Sequence, residues 1–462
     1  MAMEQLARIR LKLRKAAAAD AECSVFGARV HKYRLQEPLG REALERFENT
    51  HGVKLPEEYA AFLTEIGNGG AGPYYGIHPL GARQSIDLDG IGLPSPLRPK
   101  TREEASAEPK KHQRGDNDPP EALEDECGDD SYFCRGLLNI GEQGCSYETM
   151  LVVTGEFRGK VVYLDLDHPS SSFFTYEANF LDWYERWLDE VIAGYDSAWF
   201  GMRRSGDEWA LTELYRSAAS PAAKIEALEG MLKLRDITDE TAGFLCGVHA
   251  EEPGEVGRSA LQILAKFKFG RAKTLLREML RSGDMAGQLA ALESIQWYRP
   301  KGDASFVEEL AALLPDVADE RSFRLVTMIL HDSGADMLPM LLPFFGHPHK
   351  EFRVQALYLA GKSEAKAGCV EAFLAALEDP DPRVQHTALQ ALGGVPDPRL
   401  LPVFEKLLQQ HKTNKDYIRS NIRGLLEGFP FASMEQVEKE LPSSMRQVKG
   451  MLRKILEPYR RN

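Results

Sequence analysis

Three cysteines, Cys127, Cys134 and Cys145, with His112 nearby, are zinc ligands by type. Their spacings of 7 and 11 match no familiar ligand pattern, so they read as free thiols. Asp165 and Asp167 alternate along a strand-like run and share one face, where two carboxylates suit a divalent cation. With His168 beside them they read instead as a solvated strand end. His347-Pro348-His349 brings two imidazoles into a loop and reads as incidental polarity. The string Gly67-Asn-Gly69-Gly-Ala-Gly72 fits GxGxxG. A dinucleotide site needs a strand before that string and a helix after it. Here a helix precedes and a strand is expected to follow, so the string reads as a turn. No GxxxxGK[ST], HExxH or GxSxG string occurs. No nucleophile stands with a base and an orienting group in a known signature. The expectation is a protein that is not an enzyme, with no catalytic residues, no metal and no cofactor.

The elements that hold these residues are read from periodicity. Residues 4–15 form a short basic amphipathic helix with Leu6, Ile9 and Leu13 on one stripe, expected to pack rather than to lie on a membrane. A helix is predicted over 41–51, with Leu44 and Phe47 inward. A second begins at Pro56, which suits a first helical turn. Glu57 and Glu58 sit where the helix dipole favours carboxylates. Tyr59, Phe62, Leu63 and Ile66 fall at i, i+3, i+4 and i+7, and Gly67 is the expected left-handed stop. A glycine turn then leads into a predicted strand at Tyr74–Ile77, with the two tyrosines on opposite faces. Leu137, Leu138 and Ile140 precede a predicted turn at 141–144. Met150–Val153 and Lys160–Leu164 form a predicted hairpin around Gly155 and Gly159. Asn179 is predicted to cap a helix that runs to Gly194 and carries Trp183 and Trp187.

The chain has 462 residues, 57 Lys+Arg against 70 Asp+Glu, and a net charge of −13. Hydrophobic residues make up 43% and charged residues 27%, ordinary for a globular protein. No run of about 18 apolar residues occurs, so no membrane span is expected. No apolar signal-peptide core follows the basic N-terminus, and six cysteines fit a reducing cytoplasm. The acidic balance weighs against nucleic acid and favours a basic protein partner. That charge is uneven: Thr101–Asp130 holds 11 acids and 4 bases. Residues 84–135 lack periodicity, and 94–130 is expected to be a weakly ordered acidic insertion.

From about residue 220 the chain repeats. Units begin near Ala223, Val256, Ala286, Ser322, Phe352, Val384 and Tyr417, at spacings of 33, 30, 36, 30, 32 and 33. A small residue follows four positions on, letting helices approach. Second apolar helices are predicted at 370–377 and 401–408. One helix pair cannot bury its apolar face alone, so the units must stack as a solenoid. Domains are expected at 1–199 and 200–462.

Leu44-x-x-Phe47-Glu48, Gly52-Val-Lys-Leu55-Pro56-Glu57-Glu58-Tyr59-x-x-Phe62-Leu63 and Asn68-Gly69-Gly70-x-Gly72-Pro73-Tyr74-Tyr75-Gly76-Ile77 together resemble the SUKH superfamily. So do Gly136-Leu-Leu-Asn-Ile140-Gly141-x-x-Gly144-Cys145 and Phe180-Leu-x-Trp183-Tyr184-x-x-Trp187-Leu188. The resemblance covers about residues 36–194. It implies an α+β fold, an antiparallel sheet flanked by helices, followed here by an all-α HEAT-like solenoid. It also implies an immunity-type protein that binds and neutralises a toxin delivered between bacterial cells. The expected partner-binding residues are Glu57, Glu58, Asn68, Tyr74, Tyr75 and Trp183. The alternatives are an adaptor binding through the solenoid, or a nucleic-acid binder using Arg353, Arg383, Arg419 and Arg423.

Overall fold

The computed structural model describes residues 2–102, 104, 130–413 and 417–457. Most of the acidic insertion, including Cys127 and His112, lies outside the described residues. The chain divides into two compact units, Met1–Phe267 and Lys268–Asn462.

The first unit opens with α1 (Ala2–Ala19), α2 (Ala28–His31), α3 (Arg41–His51) and α4 (Glu57–Ala61). A four-stranded sheet follows: β1 (Leu137–Gly144), β2 (Tyr147–Val152), β3 (Val161–Asp165) and β4 (Phe173–Phe174). Its order is β1-β2-β3-β4, and each neighbouring pair is antiparallel. Period-two alternation splits the strands between two cores. Leu138, Ile140, Leu151, Val161 and Tyr163 face the main core, with Phe62, Leu63 and the aromatic side of α5 (Phe180–Ala193). Leu137, Met150, Val152, Val162 and Leu164 face a smaller core with Leu97 and Phe174.

The caps explain where α5 begins and ends. The Asn179 side chain accepts the Asp182 N–H at 3.0 Å, and Gly194 closes the helix at φ 70°. α1 is a packed helix, with Leu6 and Ile9 buried and Arg8 bonded to Glu185 on α5.

Four expectations fail here for physical reasons. Gly67 is extended, at φ 172°, not left-handed. It is glycine because a Cβ would stand 2.7 Å from the Gln36 carbonyl oxygen. No strand forms at 74–77; Tyr74 adopts φ 55°, which bends the chain, and only Gly70–Ile77 makes an isolated bridge. β1 runs through the predicted 141–144 turn by shifting register after Asn139, and the reversal falls at Cys145, φ 54°. Residues 94–102 are not loose: Leu97 is buried, and Arg102 bonds Glu229 and Glu255.

The same unit continues with α6 (Glu208–Ser217), α7 (Pro221–Met231), α8 (Asp239–Glu251) and α9 (Glu255–Phe267). The second unit holds α10 (Phe269–Arg281), α11 (Met285–Tyr298), α12 (Val307–Leu313), α13 (Glu320–Asp332), α14 (Leu338–Leu341) and α15 (Lys350–Ala360). It ends with α16 (Val370–Leu377), α17 (Pro382–Ala391), α18 (Leu400–Gln410), α19 (Ile418–Glu427), α20 (Met434–Glu440) and α21 (Arg446–Leu456). Every predicted unit start falls on or beside an odd-numbered helix from α7 to α19. Ala227, Ala260, Val326, Ala356 and Ala388 are buried at the fourth position after the start. In α11 and α19 the frame slips by one, so that Ala291 and Ile422 are the buried residues.

Within the second unit, α11, α13, α15, α17 and α19 pack each on the next. Ion pairs link residues about one repeat apart. Arg277 reaches Glu309 at 2.7 Å, Arg353 reaches Asp379 at 2.7 Å, Arg383 reaches Glu351 at 2.8 Å and Arg399 reaches Glu371 at 2.7 Å.

Candidate functional site

The glycine turn after α4 holds the most distinctive surface of the first unit. Gly69, Gly70 and Gly76 lie at φ 95°, 103° and 100°, a region that side chains with a Cβ rarely enter. This lets the backbone bridge from Leu35 through Gly70 to Ile77. The tight path turns Tyr74 inward and Tyr75 outward. Tyr74 is buried, and its hydroxyl donates to the Phe200 carbonyl at 2.9 Å. Tyr75 is half-buried, its ring 5.3 Å from that of Phe26, which is 48% exposed. Gly144 leaves room for the Tyr75 ring, since a Cβ there would come within 3.3 Å of it.

The floor of this surface is a polar cluster. Burial alone would raise the Asp20 carboxyl, yet bonds from the Tyr33 hydroxyl and from Ser24 and Val25 hold it below the ordinary range. These bonds fix the turn that carries Phe26. His31 is buried against Tyr33 and Trp187, and burial pushes its pKa down to about 4. Its Nδ1 accepts the Tyr33 N–H at 3.0 Å.

Of the expected partner-binding residues, Glu57 is exposed and Glu58 half-buried on the first turn of α4. The Asn68 side chain is engaged internally, accepting the Leu80 N–H at 2.8 Å. Tyr74 and Trp183 are corrections: both are core residues. Trp183 is 1% exposed, and its indole N–H donates to the Tyr163 hydroxyl at 3.0 Å. Tyr75 remains at the surface and gains Phe26. Sequence reasoning passed over Phe26 because it lies in a non-periodic turn, with only the following Gly27 as a signal.

The other candidates resolve as structure. Asp165 accepts the Asp167 N–H and contacts His168 at 3.3 Å, so the group closes its own turn. His347 stacks on Phe352, ring centroids 4.2 Å apart. Among the described residues no group of three or more His, Cys, Asp or Glu side chains is placed to hold a metal. Among the described residues no helix is long and apolar enough to cross a membrane. Arg353 and Arg383 pair with acids, Arg423 reaches Glu427 at 3.3 Å, and Arg419 donates to the Leu408 and His411 carbonyls. Each of these four arginines thus has a partner within the repeats.

An α+β domain joined to a run of paired helices defines a two-module chain of the protein-binding kind. Residues 38–186 match the model of the SMI1 / KNR4 family (SUKH-1), and residues 338–425 match that of HEAT repeats. The chain therefore carries a SUKH-1 domain followed by HEAT repeats. No curated protein matches it. Among solved structures it is similar to YibA of E. coli, at 15% identity and TM-score 0.38, over 55% of this chain and 98% of that one. It is also similar to the CpcE–CpcF complex of phycocyanin lyase from a Nostoc species. That match has 16% identity and TM-score 0.28, over 55% of this chain and 96% of that one. Human deoxyhypusine hydroxylase matches at 13% identity and TM-score 0.23, over 54% and 97%.

Proposed function

We propose that this is a non-catalytic immunity-type protein of the cytoplasm whose SUKH-1 domain captures and neutralises a basic protein toxin. The observation that carries the reading is the Phe26–Tyr75 ring pair at the surface of the first unit, with Tyr75 inside the family-matched residues 38–186 and Phe26 just before them. Aromatic anchors backed by a rigid turn suit a protein interface. Charge supports a basic partner: residues 1–200 hold 22 Lys+Arg against 34 Asp+Glu, a net −12 of the chain's −13. Such a field raises association rates with a basic surface and is screened by salt.

Co-expression with toxins encoded beside this chain tests the proposal. Growth rescue and a co-purified complex are expected. Absence of both for every neighbouring toxin overturns it. A second reading, an adaptor binding through the repeats, is favoured by the exposed Trp297 and Tyr358 of α11 and α15. It predicts that partner binding needs residues 268–462.

A further inference from the structure

A cavity of about 530 Å³ opens beside the smaller core of the first unit, within the roughly 300–1,000 Å³ usual for small-molecule sites. Its floor is apolar. Ile86, Cys134 and Leu166 border it and also pack against that core, so the floor is held from behind. The exposed Leu93 borders it as well.

Charges of both signs share the cavity. The Gly136 N–H donates to the Gly90 carbonyl at 3.0 Å, which sets Arg135 and Asp89 side by side in neighbouring segments. The Arg135 stem runs along Gly90, where a Cβ would stand 3.5 Å from its Cγ. Its guanidinium lies 5.0 Å from the centre of the Tyr132 ring. Asp87 accepts the Asp89 N–H at 2.9 Å, which holds the two acids on one tight turn. Among the described residues no acid pairs with Arg135 and no base with Asp87 or Asp89, although all three border the one cavity.

That arrangement selects the ligand. An anion on Arg135 would face both carboxylates, and a cation on the carboxylates would face Arg135; like charges so placed weaken binding. A ligand with an ammonium and a carboxylate on one carbon satisfies both signs. Arginine receives a carboxylate through two parallel hydrogen bonds. The apolar floor asks for a bulky apolar group on that same carbon. Within a peptide chain those two charges are spent in peptide bonds, so only the free amino acid carries them together.

We propose that this cavity binds a free α-amino acid with a bulky apolar side chain, its carboxylate on Arg135, its ammonium between Asp87 and Asp89, and its side chain over Ile86 and Leu166. This site is separate from the Phe26–Tyr75 surface and does not depend on toxin capture.

The probes are L-leucine, L-phenylalanine and L-tryptophan, each titrated calorimetrically into the full chain. Saturable binding of at least one, with a Kd below about 1 mM, is expected. Glycine, which keeps both charges and lacks the side chain, should bind at least about tenfold more weakly. So should the analogue of the bound amino acid that lacks its carboxylate, and the one that lacks its ammonium. Arg135→Gln and Asp89→Asn should each weaken binding at least about tenfold. Both variants should keep the wild-type melting curve, since Asp89 is exposed and neither side chain is ion-paired among the described residues. No binding of any of the three below about 1 mM, equal binding of glycine or of either single-charge analogue, or unchanged affinity in both variants overturns the proposal.

Discussion

Lys233 Nζ stands 3.7 Å from the Glu190 carboxylate, and both side chains are buried. Lys233 lies just after α7, and Glu190 lies on α5. The contact therefore ties the SUKH-1 domain to the first helical pair within one compact unit. Arg186 completes the cluster, 2.9 Å from Glu190 and 2.5 Å from Glu177. Burial pushes the lysine down to about 8 and the glutamate up, although Arg186 pulls the latter back. Lys233 also donates to the carbonyls of Arg204 at 2.6 Å and Gly206 at 3.0 Å.

Lys233→Met strips Glu190 of one counter-charge and leaves those carbonyls short of a donor. Removing one partner of a buried pair costs about 3–5 kcal/mol. Urea unfolding of the full chain should shift down by that order. The change in tryptophan fluorescence should also separate from the loss of helical circular dichroism. An unshifted midpoint would show that the cluster does not join the two parts.

His31 sets an acid response. Folded, it titrates near 4; unfolded, near 6.5. As pH falls below 6.5 the unfolded chain binds the proton first, so stability is lost progressively down to about pH 4. The full loss amounts to as much as about 3 kcal/mol. His31→Gln should flatten the fall between pH 6.5 and 4 when urea midpoints of the two proteins are compared. Parallel curves would rule His31 out as the source.

The two faces of the aromatic cluster separate binding from folding. Phe26→Ala should change stability by less than about 1 kcal/mol, since about half of the side chain is exposed. It should weaken the proposed toxin complex at least about tenfold by calorimetric titration. Trp183→Ala should instead destabilise by about 3–5 kcal/mol, as a core cavity does. An exposed Phe26 whose loss leaves affinity unchanged would remove it from the interface.

Gly361 closes α15 where α17 passes. A Cβ there would lie 2.7 Å from the Ala391 Cβ. Gly361→Ala should cost about 1–3 kcal/mol by overpacking. Gly424→Ala, in open space on α19, should gain about 0.5–1 kcal/mol from helix propensity. Denaturant midpoints that move in the same direction for both would contradict this geometry.

Much of the fold is legible where local pattern and packing agree. The Asn179 cap, the Gly194 stop, the 155–159 hairpin and the seven repeat starts all follow from periodicity and end signals. What escaped depends on distant neighbours. Gly67 answers the approach of Gln36, and the inward turn of Tyr74 answers Phe200, 126 residues away. Trp183, expected at a partner surface, is core because Phe200 and Tyr163 close over it. The candidate site was half visible: Tyr75 lies in the family pattern, while Phe26 is brought to it by a fold no local rule foresees.

The ion pairs that run from one repeat to the next carry a rule about editing the chain. Because Arg383 answers Glu351 and Arg399 answers Glu371, each unit carries charges matched to its neighbours. Glu351 and Arg383 hold the same position in successive units, so a plain copy of either unit sets like charges side by side at one joint. Arg399 likewise answers an acid that only the preceding unit carries. These charges fix the order of the units, and lengthening the array requires that the pairs at each new joint be rebuilt.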